Sequence, residues 1–101
     1  MKIQIREGAA HPMTPAERGH VEERLTVTLA RFSERIARVV IRLSGGEAGP
    51  GGPGTRCRID VDMRPQTIHV EDEDVDPVAA LDRATGRVAR AVARLVERDH
   101  T

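Results

Sequence analysis

Hydrophobic and polar residues alternate in four stretches of the chain. In KIQIR (2–6), Ile3 and Ile5 face one way and Lys2, Gln4 and Arg6 the other, the pattern of a short half-buried strand. IARVVIRLS (36–44) is rich in β-branched residues, with Ala37, Val39, Ile41 and Leu43 on one face and Arg38, Val40 and Arg42 opposite. TRCRIDVDMR (55–64) points Cys57, Ile59, Val61 and Met63 inward and Arg56, Arg58, Asp60, Asp62 and Arg64 outward. A turn at Pro65-Gln66 leads to a fourth strand, Thr67 to Glu71, with Ile68 and Val70 inward.

Two other stretches have the helical period. Thr14-Pro15-Ala16-Glu17 fits a capping box, with Pro where its missing donor does no harm, and Val21, Leu25, Thr28, Leu29 and Phe32 form the stripe that follows. Asp76-Pro77 opens a last helix that runs to about Arg98, with Leu81, Thr85, Val88, Val92 and Leu95 inward. The order β-α-β-β-β-α predicts an α+β two-layer sandwich, a four-stranded sheet with two helices on one face and a polar, wetted opposite face. Its first strand, helix and second strand make a right-handed parallel crossover. GGEAGPGGPG (45–54), with six Gly and two Pro, reads as a flexible loop inside a single domain of residues 1–101.

Composition adds limits. Leu, Ile, Val and Phe make up about 23% of 101 residues, which implies a lean core, while zero net charge and clear periodicity argue for folding. One cysteine permits no internal disulfide, and neither a signal core nor a membrane-length apolar run is present, so a cytoplasmic protein is expected. With 16 basic and 16 acidic residues, any electrostatic function lies in how the charges are distributed.

The distribution is uneven. Arg83, Arg87, Arg90 and Arg94 fall three or four apart on the last helix, opposite its apolar stripe. Their nearest neighbours in acid are Asp82 and Glu97 at the flanks, whereas a merely solvated face usually interleaves signs, because like charges at this spacing repel. Small residues, Ala79, Ala80, Gly86 and Ala91, lie beside the line, and a mid-helix Gly costs about 1 kcal/mol, which a closely approaching backbone would explain. On helix one, His20, Arg24 and Arg31 share a flank, so two basic ridges are expected to border a groove suited to an RNA backbone. The chain has no Trp or Tyr and one inward Phe, which leaves contact through phosphate and sugar rather than base stacking.

Other chemistry is thinly represented. The acidic run 71–76 lacks the Gly and the terminal Glu of a calcium loop and sits where carboxylates favour a helix N-terminus. Cys57 reads as a small buried hydrophobe, and the four histidines have no metal-ligand spacing. Asp60 and Asp62, beside Arg58 and Arg64, suit cross-strand ion pairs better than an acid and base pair, and the glycine stretch lacks the ending of a phosphate loop. No enzyme, cofactor, metal or small-molecule substrate is expected. A protein-interaction module that docks a partner on a sheet edge or on the polar sheet face is the alternative to an RNA binder.

The order of elements, "CRIDV" (57–61), "VEDEDVD" (70–76) and above all "DPVAALDRATGRVARAVARL" (76–95) resemble the ribosome hibernation-promoting factors, also called sigma-54 modulation proteins. The likeness covers nearly the whole chain. It implies a fold similar to a double-stranded-RNA-binding domain, and a factor that silences translation from the mRNA and tRNA region of the small ribosomal subunit. It also implies ribosomal RNA contacts at Arg83, Arg87, Arg90 and Arg94 on the last helix and at Arg24 and Arg31 on the first. Two departures stand out: Val78 where the family usually has Tyr, which thins an inward contact, and Glu17, Glu22 and Glu23 on helix one, which weaken it as a ridge. The chain resembles the short form of the family, without the dimerisation domain of longer relatives.

Overall fold

Backbone pairing follows the alternation. In the computed structural model, which describes residues 1–7, 13–46, 54–63 and 66–99, four strands form one sheet: β1 (Lys2–Glu7), β2 (Ile36–Gly46), β3 (Gly54–Met63) and β4 (Thr67–Asp74). They lie in chain order, β1 parallel to β2 and the other two pairs antiparallel. Helices α1 (Pro15–Leu29) and α2 (Pro77–Asp99) supply the second layer, and α2 packs on β3 and β4. This is the expected α+β sandwich. No helix among the described residues is long and apolar enough to cross a membrane.

One core fills the space between the layers. Ile41 on β2 pairs with Ile5 and Ile59, Val39 with Ile3 and Val61, and these side chains meet Leu25 and Leu29 of α1 and Val88 and Val92 of α2. Cys57 is fully buried among them, and burial, helped by nearby Asp72, pushes its thiol up to about 12, so it carries no reactive thiolate. The capping box forms: the Glu17 amide donates to Thr14 Oγ1 at 3.1 Å and the Thr14 amide donates to Glu17 Oε1 at 3.0 Å.

Several boundaries differ from the pattern. α1 stops at Leu29, and a 3-10 turn over Ala30–Arg35 carries Phe32 into the core, so the apolar stripe spans two kinds of turn. On β2 the register shifts between Ile36 and Arg38, which buries Ile36 and turns Ala37 out. Pairing reaches into the glycine stretch, Gly45 with Thr55 and Gly46 with Gly54, while residues 47–53 and Pro65 of the expected turn lie outside the described residues. β4 continues to Asp74 rather than ending at Glu71, because Asp72, Glu73 and Asp74 pair with Cys57, Arg56 and Thr55. That extension shapes the surface of α2.

Candidate nucleic-acid interface

The arginine line begins as the sequence places it, opposite a buried stripe of Leu81, Thr85, Val88, Val92 and Leu95. Thr85 is accommodated there by donating its hydroxyl to the Leu81 carbonyl at 2.8 Å. All four arginines are exposed, yet they are not equivalent.

Arg83 and Arg87 turn toward β4. Because Asp72 and Asp74 stand in register with inward Cys57 and Thr55, their carboxylates project on the helix side of the sheet, next to the start of α2. Arg83 Nη2 lies 3.0 Å from Asp72 Oδ1, and Arg83 Nη1 lies 2.9 Å from Asp74 Oδ2. Arg83 also donates to the Glu73 carbonyl at 2.9 Å, and Arg87 donates to the Glu71 carbonyl at 2.6 Å. The two guanidinium groups thus clamp α2 to the edge strand and occupy carbonyls that another strand would use. The expectation that Asp82 and Glu97, at the flanks, are the acids nearest the line is corrected by these contacts. The acids arrive from another element, 11 residues away along the chain for Arg83 and Asp72, which a helical wheel does not show.

Arg83 hydrogen bonds hold the Asp72 carboxyl below the usual carboxylate range, and Asp74 is held down first by the Asp76 amide and then by Arg83. A folded-state value below the unfolded one contributes stability above the unfolded value, and that stability is lost as pH falls through the folded value. Wild type and Arg83→Gln are therefore expected to differ in urea midpoint at pH 7 and to converge as pH drops below about 4, where the unpaired carboxyls take up protons. A gap of constant size across that range would disprove the clamp. The rest of the acidic run caps the helix: the Asp76 carboxylate accepts from the Val78 amide at 3.0 Å.

Arg90 and Arg94 are different. Among the described residues neither has a hydrogen-bond or ion-pair partner. With Arg87 and Ala91 they line a concavity of about 290 Å3 between α2 and β4, whose other wall is His69 and Val70. A second hollow of about 530 Å3 continues past Ala91 and Arg94 to Gln66, Ile68 and Leu95, with Glu97 and Arg98 at its helix end, so one acid stands among the cations there. The groove is thus open, basic on the helix side and floored by a small residue. Gly86 is not demanded by the fold, since a Cβ there would meet only Arg90 Nη1 at 3.6 Å.

Helix α1 contributes less than the sequence suggests. Arg24 Nη1 lies 3.4 Å from Asp82 Oδ1, with both side chains more than 40% exposed, a pair worth a fraction of a kcal/mol. Asp82 lies on the flank of α2 turned to α1, whereas Arg83 and Arg87 reach β4 on the other flank, so the two sets of arginines do not border one groove. Arg31, on the 3-10 turn, stacks over the Phe32 ring at 4.6 Å from its centroid. Between the helices lies an apolar cleft of about 230 Å3 lined by Ala16, Val21, Leu81 and Val78. Val78 is 42% exposed there, the mark of a side chain too short to close the gap.

The sequence reading missed a further basic surface. Arg6 and Arg42 were each assigned outward, but only the strand register reveals that they stand side by side.

Comparison with known proteins now bears on this geometry. A family model described as sigma 54 modulation protein / S30EA ribosomal protein matches residues 7–100. The Thermus thermophilus Protein Y N-terminal domain is similar, at 32% identity and a TM-score of 0.70, over 93% of this chain and 94% of that one. A ribosomal subunit interface protein from Coxiella burnetii shares the fold at 17% identity and a TM-score of 0.77, over 96% of this chain and 99% of that one. No curated protein sequence matches at the significance required.

Proposed function

Because the chain belongs to the sigma 54 modulation protein / S30EA ribosomal protein family, we propose that it is a cytoplasmic factor that binds the small ribosomal subunit and silences translation. In this reading it occupies the mRNA and tRNA region and holds ribosomal RNA through phosphates. The observation that carries it is the pair of arginines, Arg90 and Arg94, that have no hydrogen-bond or ion-pair partner among the described residues and stand beside Arg87 in an open groove. Two exposed guanidinium groups without counter-charge repel on a free helix and gain most when a phosphate comes between them. The absence of Trp and Tyr from the chain fits shape and backbone recognition rather than base stacking.

Within the line the roles divide. Arg90 and Arg94 bind; Arg87 binds with the donors that its bond to Glu71 leaves over; Arg83 chiefly anchors the helix. Arg24 of α1 and Arg31 of the 3-10 turn after it contribute at a lesser level, since each already has a partner. Docking of a protein on a sheet edge is the weaker reading at β4, whose carbonyls at 71 and 73 are taken.

Sedimentation with purified small subunits tests the proposal. Binding is expected to be strong at low salt and to fall steeply as salt rises, log K declining with log salt at a slope of roughly 3.5 to 4.5 if about five phosphates are neutralised. Salt-independent binding, or none, would overturn it.

A further inference from the structure

The outward face of the sheet, on the layer opposite α2, is divided by charge. On its β3 and β4 half, signs alternate across the strands: Arg56 stands opposite Glu73 and bonds it at 2.7 Å, and Arg58 stands opposite Glu71. On its β1 and β2 half they do not. Arg6 stands opposite Arg42, Arg42 opposite Arg58, and Lys2 opposite Arg38, with no acid among the outward positions of either strand in the described residues; at Arg38, which faces Asp62 of β3, an acid does stand across from this half. Neither Arg6 nor Arg42 has a hydrogen-bond or ion-pair partner among those residues. Together with Arg58, which also donates to Asp60 Oδ1 at 3.1 Å, and with Glu71 on the far side, they line a hollow of about 400 Å3.

Arg6 and Arg42, opposite each other without a counter-charge bonded to either among the described residues, cost the sheet stability, because like charges directly opposite repel. A sequence selected for folding alone would place an acid at position 42, as it does opposite Arg56. The row spans about 10 Å, two strand separations. Along the axis of a nucleic-acid duplex each strand carries a charge about every 3.4 Å, so a few consecutive phosphates match that reach. Among the described residues no exposed aromatic or aliphatic anchor accompanies the row, and Val40, on this face, is buried. A protein partner normally needs such an anchor, whereas a phosphate backbone does not.

We infer that the open sheet face over β1, β2 and the adjoining Arg58 of β3 is a second RNA-binding surface, which takes the phosphodiester backbone on the row Arg6, Arg42 and Arg58. The domain then holds RNA on both of its layers. This surface is separate from the α2 groove and stands or falls on its own.

Arg42→Glu provides the test, made in wild type and in an Arg90→Glu/Arg94→Glu background, with a labelled uridine oligoribonucleotide as the probe at low salt. Probe binding is expected to survive in the α2 background, and Arg42→Glu is expected to weaken it there at least tenfold and to reduce the salt slope by roughly 0.7. The same substitution is expected to raise the thermal unfolding midpoint, because Glu between Arg6 and Arg58 replaces repulsion by attraction. Gain of stability with loss of binding separates a ligand surface from a structural one. Loss of all probe binding in the α2 background, or unchanged affinity on Arg42→Glu, overturns the sheet surface, and so does displacement of the probe by a glutamate-rich peptide at equal concentration. If the α2 variant instead binds subunits as wild type does, the groove fails and the sheet surface is unaffected.

Discussion

Small ribosomal subunits are expected to pellet without the Arg90→Glu/Arg94→Glu protein under conditions in which they carry the wild type down. Each substitution removes a charge-assisted hydrogen bond to phosphate, worth about 1.5 to 3 kcal/mol. It also puts a negative charge where the RNA backbone must come. Two together weaken binding by about 3 to 6 kcal/mol, more than roughly a hundredfold. The salt slope of whatever binding remains falls by roughly 1.4 to 1.8, the share of two phosphates. The choice of positions matters, because Arg90 and Arg94 hold nothing within the fold among the described residues, so circular dichroism and the urea midpoint should remain those of wild type. Reversal at Arg83 does not offer that separation: a carboxylate there faces Asp72 and Asp74 and abandons the Glu73 carbonyl. Undiminished co-sedimentation of the doubly reversed protein would refute binding through α2.

The difference between Arg83 and Arg94 marks the boundary of what the sequence discloses. Alternation and the 3.6 period are local, and they suffice to assign the strands, both helices and the buried stripe, down to the hydroxyl of Thr85. The capping box is likewise written in four consecutive residues and forms as written. What a wheel or an alternation leaves open is which face of one element meets which residue of another. Asp72 and Asp74 became partners of Arg83 because β4 runs three residues farther than its apolar pattern does, and the alternation then aims those carboxylates at α2. No property of residues 82–98 announces this. The same limit hid the row across Arg6, Arg42 and Arg58, since each residue was visible as outward but pairing register is a relation between strands. The bulge that exchanged Ile36 for Ala37 in the core is a third instance, caused where the chain leaves a 3-10 turn and enters the sheet.

The clamp also bears on how a nearly neutral chain presents local charge. Acids at 72 and 74 neutralise the N-terminal end of the arginine line, while Arg90 and Arg94 toward its C-terminal end have no partner among the described residues. The groove therefore has a direction, paired and rigid near Arg83, open and cationic near Arg94. A phosphate backbone entering it gains most at the end away from the acidic strand, and the carboxylates at the other end repel it. Under the proposed function, position along α2, more than the total number of arginines, sets where RNA would lie.

Leu25→Ala is expected to be the most damaging single substitution for α1, lowering stability by about 3 to 4 kcal/mol and the melting temperature by roughly 15 °C. Helix α1 has 15 residues and buries three of them, Val21, Leu25 and Leu29, with Leu25 fully enclosed at the centre. A helix of that length is marginal alone in water, so its order depends on docking. Its link to α2 through Arg24 and Asp82 is exposed and weak, and the cleft beneath Val78 removes contact that a larger side chain would supply. Truncation at position 25 therefore removes the central one of three attachments, whereas Val27→Ala, at a site 72% exposed, should change stability by less than about 0.5 kcal/mol. Native-state hydrogen exchange distinguishes a loosened helix from a weakened domain: in Leu25→Ala the amides of α1 should lose protection before those of α2 and β3. Below its melting temperature the variant should still bind small subunits, because Arg90, Arg94 and the clamp on β4 lie on the flank of α2 that α1 does not touch. Equal loss of protection across both helices, or loss of binding in the folded variant, would mean that α1 is part of the grip rather than a cover for the core.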